Sequence, residues 1–242
     1  MRRPIRRLLF PPRCRLCRTL IDWYRDEVFC DECVEKWNAT GEEICGYCAK
    51  PVRECLCMPE ALERAKCEAL CKLCYYHPNR DRHPQNRVLY HLKKSNDGDT
   101  ADAMIDRMLP GIRRLLEGND APVLVTYIPR TARAMREFGI DQARLLGAAL
   151  ARGLGVRLLR LLCRRGGTQQ KDLSPAARMR NARASLRRTR SAIPKGAVVF
   201  LVDDIVTTGA GMAVGTRLLR RAGAGRVIAL SLAVDASNQE AQ

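Results

Sequence analysis

Residues 198–211 read Val198-Val199-Phe200-Leu201-Val202-Asp203-Asp204-Ile205-Val206-Thr207-Thr208-Gly209-Ala210-Gly211. The apolar half has the length and β-branched content of a strand buried on both faces, and the small-residue turn after it opens a helix. In an open α/β sheet ligands bind at such a junction, where the strand's carboxyl end meets the free N–H groups and positive dipole end of the helix. A phosphate fits there. Thr207 and Thr208 supply hydroxyl donors, while Gly209 and Gly211 let the backbone approach closely and take unusual dihedrals. Asp203 and Asp204 cannot hold a phosphate, but they suit a ligand that also presents sugar hydroxyls or brings a divalent metal. The stretch therefore predicts a site for a ribose phosphate. It is not a dinucleotide fingerprint, because Gly209-Ala-Gly211 followed by Gly215 misses the G-x-G-x-x-G spacing, and there is no Walker lysine.

Around this stretch, apolar runs at 121–128, 198–202 and 226–234 read as buried strands, and helical patterns at 100–116, 141–153 and 210–222 alternate with them. Gly153, Gly155, Gly223 and Gly225 mark helix ends before the next strand. That order predicts an α/β domain with a parallel sheet.

The first third of the chain is different. Eleven of the twelve cysteines lie there, and only Cys163 lies beyond. Cys14-Arg-Leu-Cys17 and Cys30-Asp-Glu-Cys33 have the spacing of a structural zinc site of four thiolates, closed to any catalytic water. Cys45-Gly-Tyr-Cys48 repeats the knuckle, and Cys55-Leu-Cys57 follows it as ligands of a second site. Cys67, Cys71 and Cys74 compete for that site's last two positions, or stand as small buried hydrophobes on one helical face at spacings of four and three. His77 lies beside this cluster, but it reads with His83 and His91 as a surface or core residue. Trp23, Tyr24 and Trp37 read as cover for the ribbon, although stacking on single strands uses the same residue types. These features predict two parts: a double zinc ribbon domain over residues 1–75 and the α/β domain over 76–242.

Hydrophobic residues make up 46% of the 242, enough for a real core, and the formal charge of +17 favours anionic partners. No apolar run reaches the roughly 18 residues of a membrane span, and the Arg-rich start is cut by Pro4, so the expected location is the cytoplasm, where thiols stay reduced. From 157 to 195 there are twelve basic residues against one acid, Asp172. A run of that kind is usually a solvated surface; here it tilts toward an anion-facing one.

At this point the chain resembles a known family. Residues 199–211 look like the thirteen-residue phosphoribosyl pyrophosphate (PRPP) motif of type I phosphoribosyltransferases, and the chain as a whole resembles the ComF competence family. The resemblance includes Leu8-Leu-Phe-Pro-Pro-Arg-Cys14, the double ribbon, Tyr90-His-Leu-Lys-Lys94 and Val125-Thr-Tyr-Ile-Pro-Arg130. It continues with Gly139-Ile-Asp-Gln142 and Gln169-Gln-Lys-Asp-Leu-Ser174 followed by Arg180-Asn181. It implies that Asp203 and Asp204 bind the ribose hydroxyls and that Val206, Thr207, Thr208, Gly209, Ala210 and Gly211 cradle the 5′-phosphate. Arg130 and Thr131 would stand nearest the pyrophosphate, with magnesium assisting. Two departures are visible: the motif usually closes with Thr where this chain has Gly211, and the frequent Gly-Phe-Asn-Gln appears as Gly-Ile-Asp-Gln.

Three functions follow as expectations. As an enzyme, with Asp203, Asp204 and Arg130 in the catalytic roles, the chain would displace pyrophosphate from C1 of the ribose by a nitrogen nucleophile; no general base or acceptor pocket is identifiable. As a nucleic-acid factor, ribbons and basic stretch would hold single-stranded DNA during uptake in natural transformation. As a docking module, the ribbon would engage a competence helicase or recombination protein.

Overall fold

The computed structural model describes residues 10–25, 27–40, 42–78, 84–94, 97–166 and 174–236. Its strands are β1 Ala69–Tyr76, β2 Val123–Tyr127, β3 Leu162–Arg164, β4 Leu186–Arg188, β5 Val198–Val206 and β6 Arg226–Asp235. Its helices are α1 Asp31–Thr40, α2 Glu60–Glu63, α3 Pro84–Lys94, α4 Gly98–Arg114, α5 Ala132–Phe138, α6 Gln142–Leu154, α7 Pro175–Ser185 and α8 Ala210–Arg221. Four strands form a parallel sheet in the order β1-β6-β5-β2, and β3 pairs antiparallel with β4 beside it. The expected α/β class with a parallel sheet is the observed one.

Residues 198–202 are fully buried, and their alternation builds two layers. Val198, Phe200 and Val202 face one layer with Val125, Ile228 and Leu230 of the sheet, Ile105 of α4 and Leu146 of α6. Val199 and Leu201 face the other, with Leu70, Val227, Met212 and Ala213. The first layer also takes in Cys14, Leu16, Ile21, Phe29 and Trp37, so the first cysteine cluster shares a core with the sheet.

The expected strands correspond to β2, β5 and β6, and the expected helices to α4, α6 and α8. Gly155 closes α6 in the left-handed conformation (φ +67°), as a helix-end glycine does. Gly153 has a different role: it lies inside α6, where a Cβ would stand 2.7 Å from Leu109 of α4, and its missing side chain lets the two helices approach.

The helical reading of Cys67, Cys71 and Cys74 is corrected. Cys71 and Cys74 lie on β1, Cys67 stands just before it, and all three are buried, as small hydrophobes are. A continuously buried run has no period to separate helix from strand, and pairing with β6 decides the matter. β1 also reaches across residue 75, where the ribbon domain was expected to end. Its outer edge is covered by the CxC segment. The Leu70 N–H donates to the Leu56 carbonyl (3.4 Å), and the buried Lys72 ammonium donates to the carbonyls of Cys55 and Cys57 (2.8 Å each). An edge strand that would otherwise invite pairing is thereby closed.

After α8 the chain passes so close to Gly196 that a Cβ on Gly225 would stand 2.5 Å from the Gly196 carbonyl oxygen. Gly225→Ala is expected to cost about 1–3 kcal/mol by overpacking. In urea denaturation this appears as a lower midpoint at unchanged slope, and an unchanged midpoint would argue against that close approach.

Candidate functional site

β5 continues through both acids to Val206, pairing Asp203 with Ser231 and Ile205 with Ala233 of β6. The Ser231 hydroxyl donates to the Asp204 carbonyl (3.0 Å), fixing the backbone where the strand ends. Gly209 then turns the chain into α8 at φ +68°. A side chain there would be strained in this conformation and would also overlap Leu62 of α2, so the position demands glycine twice over. The first turn of α8 leaves backbone N–H groups without intrahelical acceptors. They open onto a small cavity lined by Ile128, Arg164, Asp203 and residues 205–212.

The charges around this cavity come from several elements. Arg130, in the loop after β2, has its guanidinium 4.0 Å from the Asp204 carboxylate. Its backbone N–H donates to Asp141 (3.3 Å), which also caps α6 through the Arg144 N–H. Arg178 of α7 donates to the Thr207 hydroxyl (3.1 Å). Arg164, at the end of β3, points its half-buried side chain at the cavity. Burial, and then the adjacent Asp204, push the Asp203 carboxyl well above the usual carboxylate range; the Asp204 N–H (3.0 Å) and the charge of Arg164 offset only part of this. Burial raises Asp141 as well, against hydrogen bonds from the Arg144 and Arg130 backbones.

Of the expected ligand residues, Asp203, Val206, Thr207, Thr208, Gly209, Ala210 and Gly211 line one cavity, while Asp204 and Arg130 are not among its lining residues and stand 4.0 Å from one another. Thr131 is not among the lining residues; its hydroxyl caps α5 by accepting from the Ala134 N–H (3.1 Å). Ile128, Arg164, Ile205 and Met212 are lining residues that sequence reasoning did not single out. Gln169 to Leu173 and His83 lie outside the described residues. His77 pairs with Glu43 (3.1 Å) and His91 with Asp97 (2.9 Å), so neither joins a cysteine cluster.

Cys14, Cys17, Cys30 and Cys33 bring their sulfurs within 4.8 Å of one another, as do Cys45, Cys48, Cys55 and Cys57. Each set can hold one tetrahedral zinc ion. Cys55 and Cys57 thus complete the second cluster, while Cys67, Cys71 and Cys74 stand apart in the core. The two knuckles are built alike. Arg18 and Ala49, each directly after a CxxC, take positive φ (69° and 54°) and donate back to the carbonyls of Cys14 and Cys45. Burial opposes ionisation of Cys17, yet hydrogen bonds with Thr19 and the neighbouring thiols bring its pKa down to about 6. Backbone N–H groups of Cys48 and Tyr47 overcome burial in the same way for Cys45, also about 6. These hydrogen bonds favour the thiolate, the metal-binding form, at one position in each cluster.

Asp203 makes stability depend on pH with a definite sign. An acid whose pKa is raised by folding binds its proton more tightly when folded. Its native state is therefore most stable below the ordinary value of 3.8 and loses stability as pH rises toward the raised pKa. Asp203→Asn is expected to melt higher than the parent at neutral pH, with the difference vanishing below about pH 4. Thermal melts across that range check it; a difference independent of pH would be evidence against a raised Asp203.

A phosphoribosyl transferase domain model matches residues 141–242. The DNA utilization protein YhgH of Salmonella typhimurium is 30% identical over 202 residues, 76% of this chain and 87% of that protein. Among solved structures, TT1426 from Thermus thermophilus aligns at 20% identity and a TM-score of 0.37, covering 61% of this chain and 78% of that one. The adenine phosphoribosyltransferase of Leishmania tarentolae aligns at 16% and 0.38, covering 70% and 92%. With paired four-cysteine clusters ahead of a parallel sheet that carries the acidic strand and the glycine turn into α8, the chain belongs to the ComF family of phosphoribosyltransferase-domain proteins.

Proposed function

We propose that the cavity at the end of β5 binds PRPP, or a related ribose 5-phosphate, together with magnesium. The observation carrying this reading is the meeting of two unlike recognition elements in one cavity: the Asp203 carboxyl of β5 and the amide-rich turn of residues 206–211. In it, the first-turn amides of α8 and the Thr207 and Thr208 hydroxyls take the 5′-phosphate, and Asp203 and Asp204 accept from the ribose hydroxyls. Arg130, with Thr131 beside it, faces the pyrophosphate. The adjacent carboxylates are hard oxygen donors of the kind magnesium takes, and the ion would supply neutralisation of the phosphate charge. As a transferase, the protein would position the sugar and neutralise the departing pyrophosphate while a nitrogen nucleophile forms the new bond at C1.

The two cysteine clusters are proposed to hold structural zinc. In domain terms the ribbons would occupy the chain up to about residue 58, with β1 counted in the phosphoribosyltransferase unit, which runs to 242. Among the described residues no helix is long and apolar enough to cross a membrane, and we place the protein in the cytoplasm. The likeness to a DNA utilization protein supports a role in DNA uptake during natural transformation. A second reading, in which the chain grips single-stranded DNA or docks a competence helicase or recombination protein without catalysis, is favoured by a different observation. Trp23 and Tyr24 are exposed on the first ribbon, and Arg180, Arg183, Arg187, Arg188 and Arg190 are exposed on and after α7.

Titration with PRPP and magnesium, followed by thermal shift, is expected to raise the melting temperature of the parent and not of Asp203→Asn/Asp204→Asn. A parent that gains nothing would defeat the ligand assignment. Binding to single-stranded DNA that falls steeply with salt and needs neither PRPP nor magnesium would favour the second reading.

Metal analysis is expected to find zinc at up to two ions per chain, one for each cluster. Because Trp37 is buried in the core shared by the first cluster and the sheet, chelation should also lower the melting temperature and red-shift tryptophan emission. A metal-free protein melting like the parent would overturn the zinc assignment.

A further inference from the structure

Among the described residues, Arg164 is the one guanidinium that lines the β5–α8 cavity. Its Nε is buried and has no hydrogen-bond partner among the described residues, and the side chain forms no ion pair within 4.0 Å there. A buried cationic donor left in this condition is costly unless an anion completes it. Burial lowers the Arg164 pKa, and the nearby charges of Asp203 and Asp141 offset only part of this.

The position of the guanidinium matters as much as its charge. Gly211 lies in the first turn of α8, and an Nη of Arg164 is 3.7 Å from where a Cβ on residue 211 would stand, with Ile128 at 3.8 Å on another side. A threonine at 211 carries two γ substituents and would have to share that space with the guanidinium. The glycine at 211 and the arginine at 164 therefore form one arrangement, in which a side-chain hydroxyl on the helix is absent and a guanidinium from β3 stands beside its place.

We propose that Arg164 is the phosphate-specificity residue of this cavity, binding the 5′-phosphate of the sugar from the space that Gly211 leaves open. The proposal rests on the ribose-phosphate reading above and names the group that reads the phosphate. Arg164 comes from β3 while the amides come from α8, so the phosphate is held from two separate elements. A charge-assisted contact to a phosphate is stronger than the neutral hydroxyl contact it stands in for.

Isothermal titration of the full chain with ribose 5-phosphate, PRPP with magnesium, and inorganic pyrophosphate tests this. Arg164→Gln is expected to weaken ribose 5-phosphate and PRPP by a common factor of about 10- to 100-fold, the range of one charge-assisted hydrogen bond, and to leave pyrophosphate within about threefold. Gly211→Thr in the parent should weaken ribose 5-phosphate by crowding Arg164, yet restore part of the loss when combined with Arg164→Gln by returning a hydroxyl donor. Loss of ribose 5-phosphate and pyrophosphate binding in equal measure, or a change below about threefold for both, would overturn the assignment while leaving the ribose-phosphate reading intact. A parent that binds none of the three would sink that reading itself. Should Arg164→Gln fail to fold, Gly211→Thr decides: unchanged ribose 5-phosphate affinity in that variant would overturn the proposal.

Discussion

Complete burial of residues 198–202 on both faces of the sheet is the constraint from which the rest of the architecture follows. A strand so enclosed cannot slip by one residue without sending its side chains into the wrong layer. Its register with β2 and β6 therefore fixes where the strand ends, and so where two carboxylates and a helix N-terminus meet. Asp203 and Asp204 follow directly on this enclosed stretch within the same strand, which is why burial acts so strongly on the first of them.

The cysteine-rich segment is tied into this arrangement at two points. Leu62 occupies the space beside Gly209, so the turn into α8 is shaped by a residue encoded more than a hundred positions earlier. The carbonyls of Cys55, Leu56 and Cys57 bond β1, so the second cluster is anchored along the sheet edge through the same three residues that supply two of its sulfurs. The cysteine-rich segment thereby packs against both the sheet edge and the turn into α8.

Acids and guanidiniums from several elements gather at and near the cavity. Arg130 approaches Asp204 only to 4.0 Å, and Arg164 is not ion-paired among the described residues. In the proposed complex, the acids would take hydroxyls and a cation, and the guanidiniums the phosphates. The basic stretch divides accordingly: Arg164 and Arg178 turn toward the turn of residues 205–212, while Arg180, Arg183, Arg187 and Arg188 remain in solvent.

Much of this was legible from residue order. The buried strand, the small-residue turn and the CxxC knuckles are local patterns, set by side-chain volume, backbone freedom and thiol spacing within about fifteen residues. β1 was not legible, because a run of small and apolar residues buried throughout has no period, and only pairing with β6 made it a strand. Nor could Arg164 be picked from among twelve basic residues, since nothing local distinguishes a guanidinium facing a cavity from one facing water. The sequence by itself determined three strands of the parallel sheet and the helices alternating with them, the spacing of the clustered sulfurs and the acidic end of the apolar run, all of which depend on neighbours along the chain. Tertiary structure alone decided that Leu62 would require Gly209 and that Arg164 would stand beside Gly211, because contacts between distant segments are chosen by packing of the whole core.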